Sequence, residues 1–142
     1  MTPLQKHLIQ ASWKIIAPLS STLGTLFYYR LFDLAPHTRQ LFSTDIKPQV
    51  EKFVLMLDRV VQSIHEFENL THRLASLGQQ HQRLNITAED YEQVRRALLW
   101  TLATALEENW SIELEKAWGL AYDELAGVMQ ASVETRENVT TP

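Results

Sequence analysis

The chain has 142 residues, 45% of them hydrophobic and 21% charged, a formal net charge of −4 and no cysteine. That length encloses one continuous core and leaves no room for a second catalytic domain, and no apolar run approaches the roughly 20 residues that span a bilayer. The 13 basic residues are scattered, which disfavours nucleic acid or an anionic membrane surface as a partner, and the lack of cysteine excludes disulfides, thiolate zinc sites and a cysteine nucleophile.

Proline occurs only at positions 3, 18, 36, 48 and 142, so an all-helical chain is expected over the long stretch that follows Pro48. Thr2 as N-cap and Pro3 at the first helical position open a helix with Leu4, Leu8, Ala11 and Ile15 on its apolar side, ending near Pro18. Ser20 and Ser21 are candidate caps for a second helix bearing Leu23, Leu26, Phe27, Leu31 and Leu34, with Tyr28 beside Phe27; Pro36 then forces a turn. Phe42 sits at a corner made by the cap-type residues Ser43, Thr44 and Asp45. The third helix starts near Lys47 and Pro48 and carries Val50, Phe53, Val54, Leu57, Val60, Val61 and Ile64, a face broad enough to be buried between neighbours; Gln49 lies one turn ahead of Phe53.

After a break near Glu66 to Asn69, the residues Leu70, Leu74, Leu77 and His81 follow one another at spacings of four, three and four. A histidine therefore stands where the pattern calls for an apolar residue. Thr87 and Asp90 form a capping-box pattern that opens a helix with Tyr91, Val94, Leu98, Leu102 and Ala105, expected to end around Asn109. Ser111 caps the last helix, whose buried stripe is Leu114, Ala117, Trp118, Ala121, Leu125, Val128 and Ser132. Residues 134–142 turn polar, so the domain is read as 1–133 with a C-terminal tail over 134–142. The opening residues Met1-Thr2-Pro3-Leu4-Gln5 lack the marks of an export signal, and a cytoplasmic location is expected.

A histidine on an apolar face is more often a core residue hydrogen-bonded to backbone than a metal ligand. His81 has a second use, because imidazole ligates iron and a haem needs one protein bond plus an apolar slot. Without cysteine, such a haem would be held non-covalently. Gly78, one turn earlier, clears space on the His81 face, and the Leu77 carbonyl is placed to accept the second imidazole N–H. Tyr28 and Gln49 each carry a donor at an inward-turning position, although either residue alone reads as an ordinary boundary side chain. His7, His37, His65 and His72 read as solvated or boundary residues; among the tryptophans, Trp100 alone is placed to approach a haem.

Together, Leu26-Phe27-Tyr28-Tyr29-Arg30-Leu31-Phe32, Pro36, Leu41-Phe42, Leu77-Gly78-Gln79-Gln80-His81 and Ala117-Trp118-Gly119-Leu120-Ala121-Tyr122 resemble the single-domain bacterial globins related to flavohaemoglobins. The resemblance covers about residues 5 to 130, and the 32-residue separation of Gln49 from His81 fits the family's spacing. It implies a globin fold around haem b (iron protoporphyrin IX), with His81 as the proximal iron ligand, Phe42 packed on the haem face, Tyr28 and Gln49 as distal donors and Phe53 as the ligand's apolar neighbour. Lys52 would reach a haem propionate, the helices of Phe53 and Leu77 would flank the porphyrin, and Tyr91 would take the place of a tyrosine that, with a late glutamate, polarises the proximal histidine. Here the glutamate's position is matched by Val133, with Glu134 beside it, so that polarisation is expected to be weakened.

The resemblance implies reversible binding of dioxygen or another small gas, nitric oxide and carbon monoxide included. Its alternatives are nitric oxide dioxygenation fed by a separate reductase, a haem-based sensor, or a haem-free interaction module.

Overall fold

The computed structural model describes the backbone of residues 1–66 and 71–140, and the side chains of 1–66 and 73–131 within it. Six α-helices follow one another: α1 Pro3–Ile16, α2 Ser20–Leu34, α3 Lys47–Gln62, α4 Thr71–Arg83, α5 Ala88–Leu106 and α6 Ile112–Thr140. Short 3-10 turns at Ala17–Leu19, Pro36–Leu41 and Glu107–Asn109 join them, and no strand occurs among the described residues. The break expected near Asn69, with Leu70, lies outside the described residues.

Local chemistry sets several helix starts. Thr2 and Gln5 form a reciprocal capping box at α1, through Gln5 N–H to Thr2 Oγ1 at 3.1 Å and Thr2 N–H to Gln5 Oε1 at 2.9 Å. Thr87 and Asp90 repeat the device at α5, and Ser111 Oγ accepts the Leu114 N–H at 3.1 Å to open α6. Ser20 and Ser21 do not cap α2: its N-cap is Leu19, without a side-chain bond, because the preceding 3-10 turn runs straight into the helix and supplies backbone partners.

The buried face of α1 is not the expected one. Leu4 and Ile15 are 67% and 56% exposed, whereas Ile9, Ser12, Trp13 and Ile16 are buried. The deciding term is tryptophan, whose area outweighs that of either aliphatic side chain. Trp13 packs 6.4 Å from Trp118 of α6 and donates its indole N–H to Asp58 Oδ1 of α3 at 3.0 Å. Ser12 is tolerated inside because its hydroxyl donates to the Ile9 carbonyl at 2.9 Å and accepts the Trp118 indole N–H at 3.0 Å.

Around this anchor α2 packs on α3 and α5, α4 packs on α6, and α1 touches α3, α5 and α6. No helix among the described residues is long and apolar enough to cross a membrane.

The crossing of α2 over α3 depends on Gly24, where a Cβ would lie 2.7 Å from Val50 Cγ1 and 2.9 Å from Val54 Cγ2. Gly24→Ala should therefore destabilise the fold by about 1–3 kcal/mol despite alanine's better helix propensity. Urea unfolding followed by circular dichroism checks this, and an unchanged or raised midpoint would show that the two valines yield freely.

Candidate functional site

The predicted site residues fall into two groups and a rim. In the first, α2 buries Tyr28 among phenylalanines from three elements. Its ring lies 5.0 Å from Phe27, 6.0 Å from Phe32, 5.3 Å from Phe42 and 5.5 Å from Phe53 by ring centroids, with Phe27 stacked on Phe53 at 4.2 Å. Gln49, at the start of α3, donates its amide Nε2–H to the Tyr28 Oη at 3.0 Å. That bond occupies the phenol as an acceptor and leaves its own O–H without an acceptor among the described residues. Burial pushes the Tyr28 phenol up to about 12, against the opposing pull of the Gln49 amide. The group is thus a neutral donor with its proton in place.

The second group sits on α4 and α5. His81 Nδ1 lies 2.7 Å from the Leu77 carbonyl oxygen, and because a carbonyl only accepts, Nδ1 must carry the proton. Nε2 is left with a lone pair. The His81 carbonyl accepts N–H groups from Leu84 at 3.1 Å and Ile86 at 3.2 Å, which anchors the residue's backbone at the end of its helix. The Tyr91 ring lies 6.3 Å from the imidazole, tilted by 33°, and burial raises its phenol. Tyr122 of α6 steadies Tyr91 by donating its hydroxyl to the Tyr91 carbonyl at 2.6 Å. A Cβ at Gly78 would run into the backbone of Met129, so α4 lies flush on α6 one turn from His81.

The rim is a cleft of about 370 Å³ between α3 and α4. Lys52, Met56 and Val60 line it from one side and Leu74, Leu77 and Gln80 from the other, with Arg59 and Arg73 at its margins. Lys52 and Leu77 are the predicted residues found here; they immediately precede Phe53 or lie one turn before His81 in the chain. Val133 and Glu134 lie outside the residues whose side chains are described, as does His72.

Trp100 is 37% exposed, with the Arg30 guanidinium of α2 over its ring at 4.7 Å from centroid to Cζ. His37 is exposed as predicted but not merely solvated: its Nε2 lies 2.6 Å from Asp90 Oδ1. Although burial works against it, bonds from Thr87 and His37 hold the Asp90 carboxyl below the usual carboxylate range. Phe32, quoted in the sequence motif but given no role there, packs on Tyr28 one helical turn earlier, a spacing that was the available signal.

Six helices that carry a buried phenol on α2 and a backbone-tethered histidine on α4 define an all-helical protein of the haem-pocket type, although neither Tyr28 nor His81 lines the cleft between α3 and α4. The family model described as Globin matches residues 25–129, and the chain belongs to the globin family. It is 30% identical over 149 aligned positions to an anaerobic nitrite reductase of Gossypium hirsutum, covering 94% of this chain and 91% of that one. To an anaerobic nitrite reductase of Casuarina glauca it is 29% identical, covering 94% of this chain and 92% of the relative. The prosthetic group this family implies is haem, and the residues fit it: an imidazole fixed by the Leu77 carbonyl, and beside its helix a cleft where Met56, Val60, Leu74 and Leu77 lie together with the cations Lys52, Arg59 and Arg73.

The Tyr28 phenol also makes a prediction about alkali. Its folded value lies above the ordinary 10.0, so the native state keeps a proton that the unfolded chain sheds; this contribution is intact below pH 10 and is lost as pH rises through about 12. Tyr28→Phe should lose less stability than the parent over that window. Parallel unfolding curves from pH 9 to 12 check it, and identical alkaline slopes would show that the buried phenol is not what titrates.

Proposed function

We propose that the chain holds haem b (iron protoporphyrin IX) through His81 Nε2 and binds a small gaseous ligand beside Tyr28 and Gln49, with dioxygen as the leading candidate. The observation that carries this reading is the Gln49 amide bonded to the buried Tyr28 oxygen, which leaves the phenol proton uncommitted. When bound, haem supplies an iron coordination site for dioxygen, nitric oxide or carbon monoxide. Everything else is done by the chain. Leu77 orients the His81 ring, Phe42 and Phe53 exclude water from the Tyr28 side, and Lys52 offers a cation to a propionate. Tyr91 packs beside the His81 ring. In this reading residues 1–133 form the globin domain, 134–142 a polar extension, and the protein works in the cytoplasm.

Accepting from Gln49 polarises the Tyr28 hydroxyl and makes it a better donor, since hydrogen bonds in series strengthen one another. A bond to a partner carrying charge contributes about 1.5–3 kcal/mol, or roughly 10- to 150-fold in affinity. A ligand that becomes partly negative when bound gains most, and carbon monoxide gains less.

The names of the two relatives support a second, redox reading, nitrite reduction; the resemblance drawn from sequence adds nitric oxide dioxygenation with electrons from a separate reductase. A phenol held near 12 is a hydrogen-bond donor and a poor proton source at neutral pH, which favours retention of a ligand over proton delivery.

Two measurements test the leading reading. The parent chain should take up one haem and display its visible absorption bands, and His81→Ala should lose most of that uptake; full retention of the bands would remove His81 as the tether. Tyr28→Phe should speed oxygen dissociation by about 10- to 150-fold in stopped-flow, with Gln49→Ala acting more weakly. An unchanged rate in Tyr28→Phe would take the phenol out of the mechanism.

A further inference from the structure

Arg39 belongs to the 3-10 turn Pro36–Leu41 and holds the Phe42 backbone from both sides. Its carbonyl accepts the Phe42 N–H at 3.2 Å, and its guanidinium Nη1 donates to the Phe42 carbonyl at 3.3 Å. The same fork donates to the Ser43 carbonyl at 3.1 Å and the Thr44 carbonyl at 3.3 Å, so one side chain gathers three consecutive carbonyls after the turn. Its face lies 5.2 Å above the Phe32 ring. Phe32 in turn packs 5.8 Å from Phe42, and both pack on Tyr28.

From this geometry we infer that Arg39 is a positioning residue for the ligand site: it fixes Phe42 and Phe32, and those two rings aim the Tyr28 hydroxyl. The inference rests on the reading of Tyr28 given above. Three carbonyls fanned around one point need several donors in a rigid plane, which guanidinium has and ammonium lacks. The planar cation over an aromatic face adds an attraction that also orders Phe32. Phe42 sits in extended backbone at φ −120°, ψ 154° as the C-cap of the 3-10 turn, so its N–H is held by the turn's own backbone bond while its carbonyl is held by the Arg39 guanidinium. When the clamp is removed, Phe42 and Phe32 gain freedom, and the hydroxyl that Gln49 polarises loses its direction while keeping its proton.

A double-mutant cycle on the haem-loaded full chain separates aiming from general loosening. Arg39→Gln should speed oxygen dissociation by about three- to tenfold in the parent and leave it within about twofold in the Tyr28→Phe background. Arg39→Lys, which keeps the charge and three donors on one nitrogen but loses the planar fork, should fall between. In haem-free protein with 13C-labelled tyrosine, the Tyr28 ring resonances should move in Arg39→Gln while those of Tyr122 stay in place. Equal acceleration in both backgrounds, or Tyr28 resonances that do not move, would overturn the inference and reduce Arg39 to a local staple. If Tyr28→Phe itself leaves dissociation unchanged, the underlying reading of Tyr28 fails, and the resonance shifts then report separately on whether the clamp exists.

Discussion

One proton on one nitrogen governs the centre of this protein. By donating Nδ1–H to the Leu77 carbonyl at 2.7 Å, His81 fixes both its tautomer and the plane of its ring. A backbone carbonyl four residues back is an acceptor that the helix supplies at a constant place, so the orientation does not depend on a distant partner. It is also a neutral acceptor. In the resemblance drawn from sequence, a carboxylate strengthens the histidine as a donor to iron, and a carbonyl gives that effect in weaker form. The Leu77 bond thus ties helix geometry to the electronic character of the imidazole.

The Tyr28 wall follows a complementary logic. A phenol surrounded by Phe27, Phe32, Phe42 and Phe53 loses water, which raises its pKa and makes any hydrogen bond it forms stronger than the same bond in solvent. Such a group is costly to bury unless its oxygen has a partner, and Gln49 meets that need from the first turn of α3. The aromatic shell and the amide therefore act on the same oxygen in opposite senses, one isolating it and the other stabilising it.

Most features set by neighbours in the chain were legible in the sequence, the cap expected at Ser20 and Ser21 excepted. The capping pair of Thr87 and Asp90, the Ser111 cap and the Leu77 acceptor for His81 all act within four residues, where spacing alone defines geometry. Features set by distant partners were not. Choosing the buried face of α1 required knowing that Trp118 and Asp58 would meet Ser12 and Trp13. Gly78 was legible as cleared space beside His81, but only the structure shows that the Met129 backbone occupies it. The Arg30 guanidinium over Trp100, a contact between α2 and α5, was likewise not legible from either residue alone.

The slot between α3 and α4 is best understood through contacts made elsewhere. Gly24 lets α2 draw α3 close through Val50 and Val54, while Gly78 lets α6 draw α4 close through the Met129 backbone. Each wall is thus committed to a different packing partner, α3 to α2 and α4 to α6, and the cleft lies between them. The tryptophan pair and Ser12 bind α1 to α6, and Trp13 reaches α3 through Asp58, so the two commitments are joined through the opposite side of the core. Cavity walls that rest on independent, close-packed contacts resist collapse onto each other, since closing the slot would break contacts already optimised. An apolar cleft can persist in a small protein on those terms, and the two glycines are where the sequence arranges them.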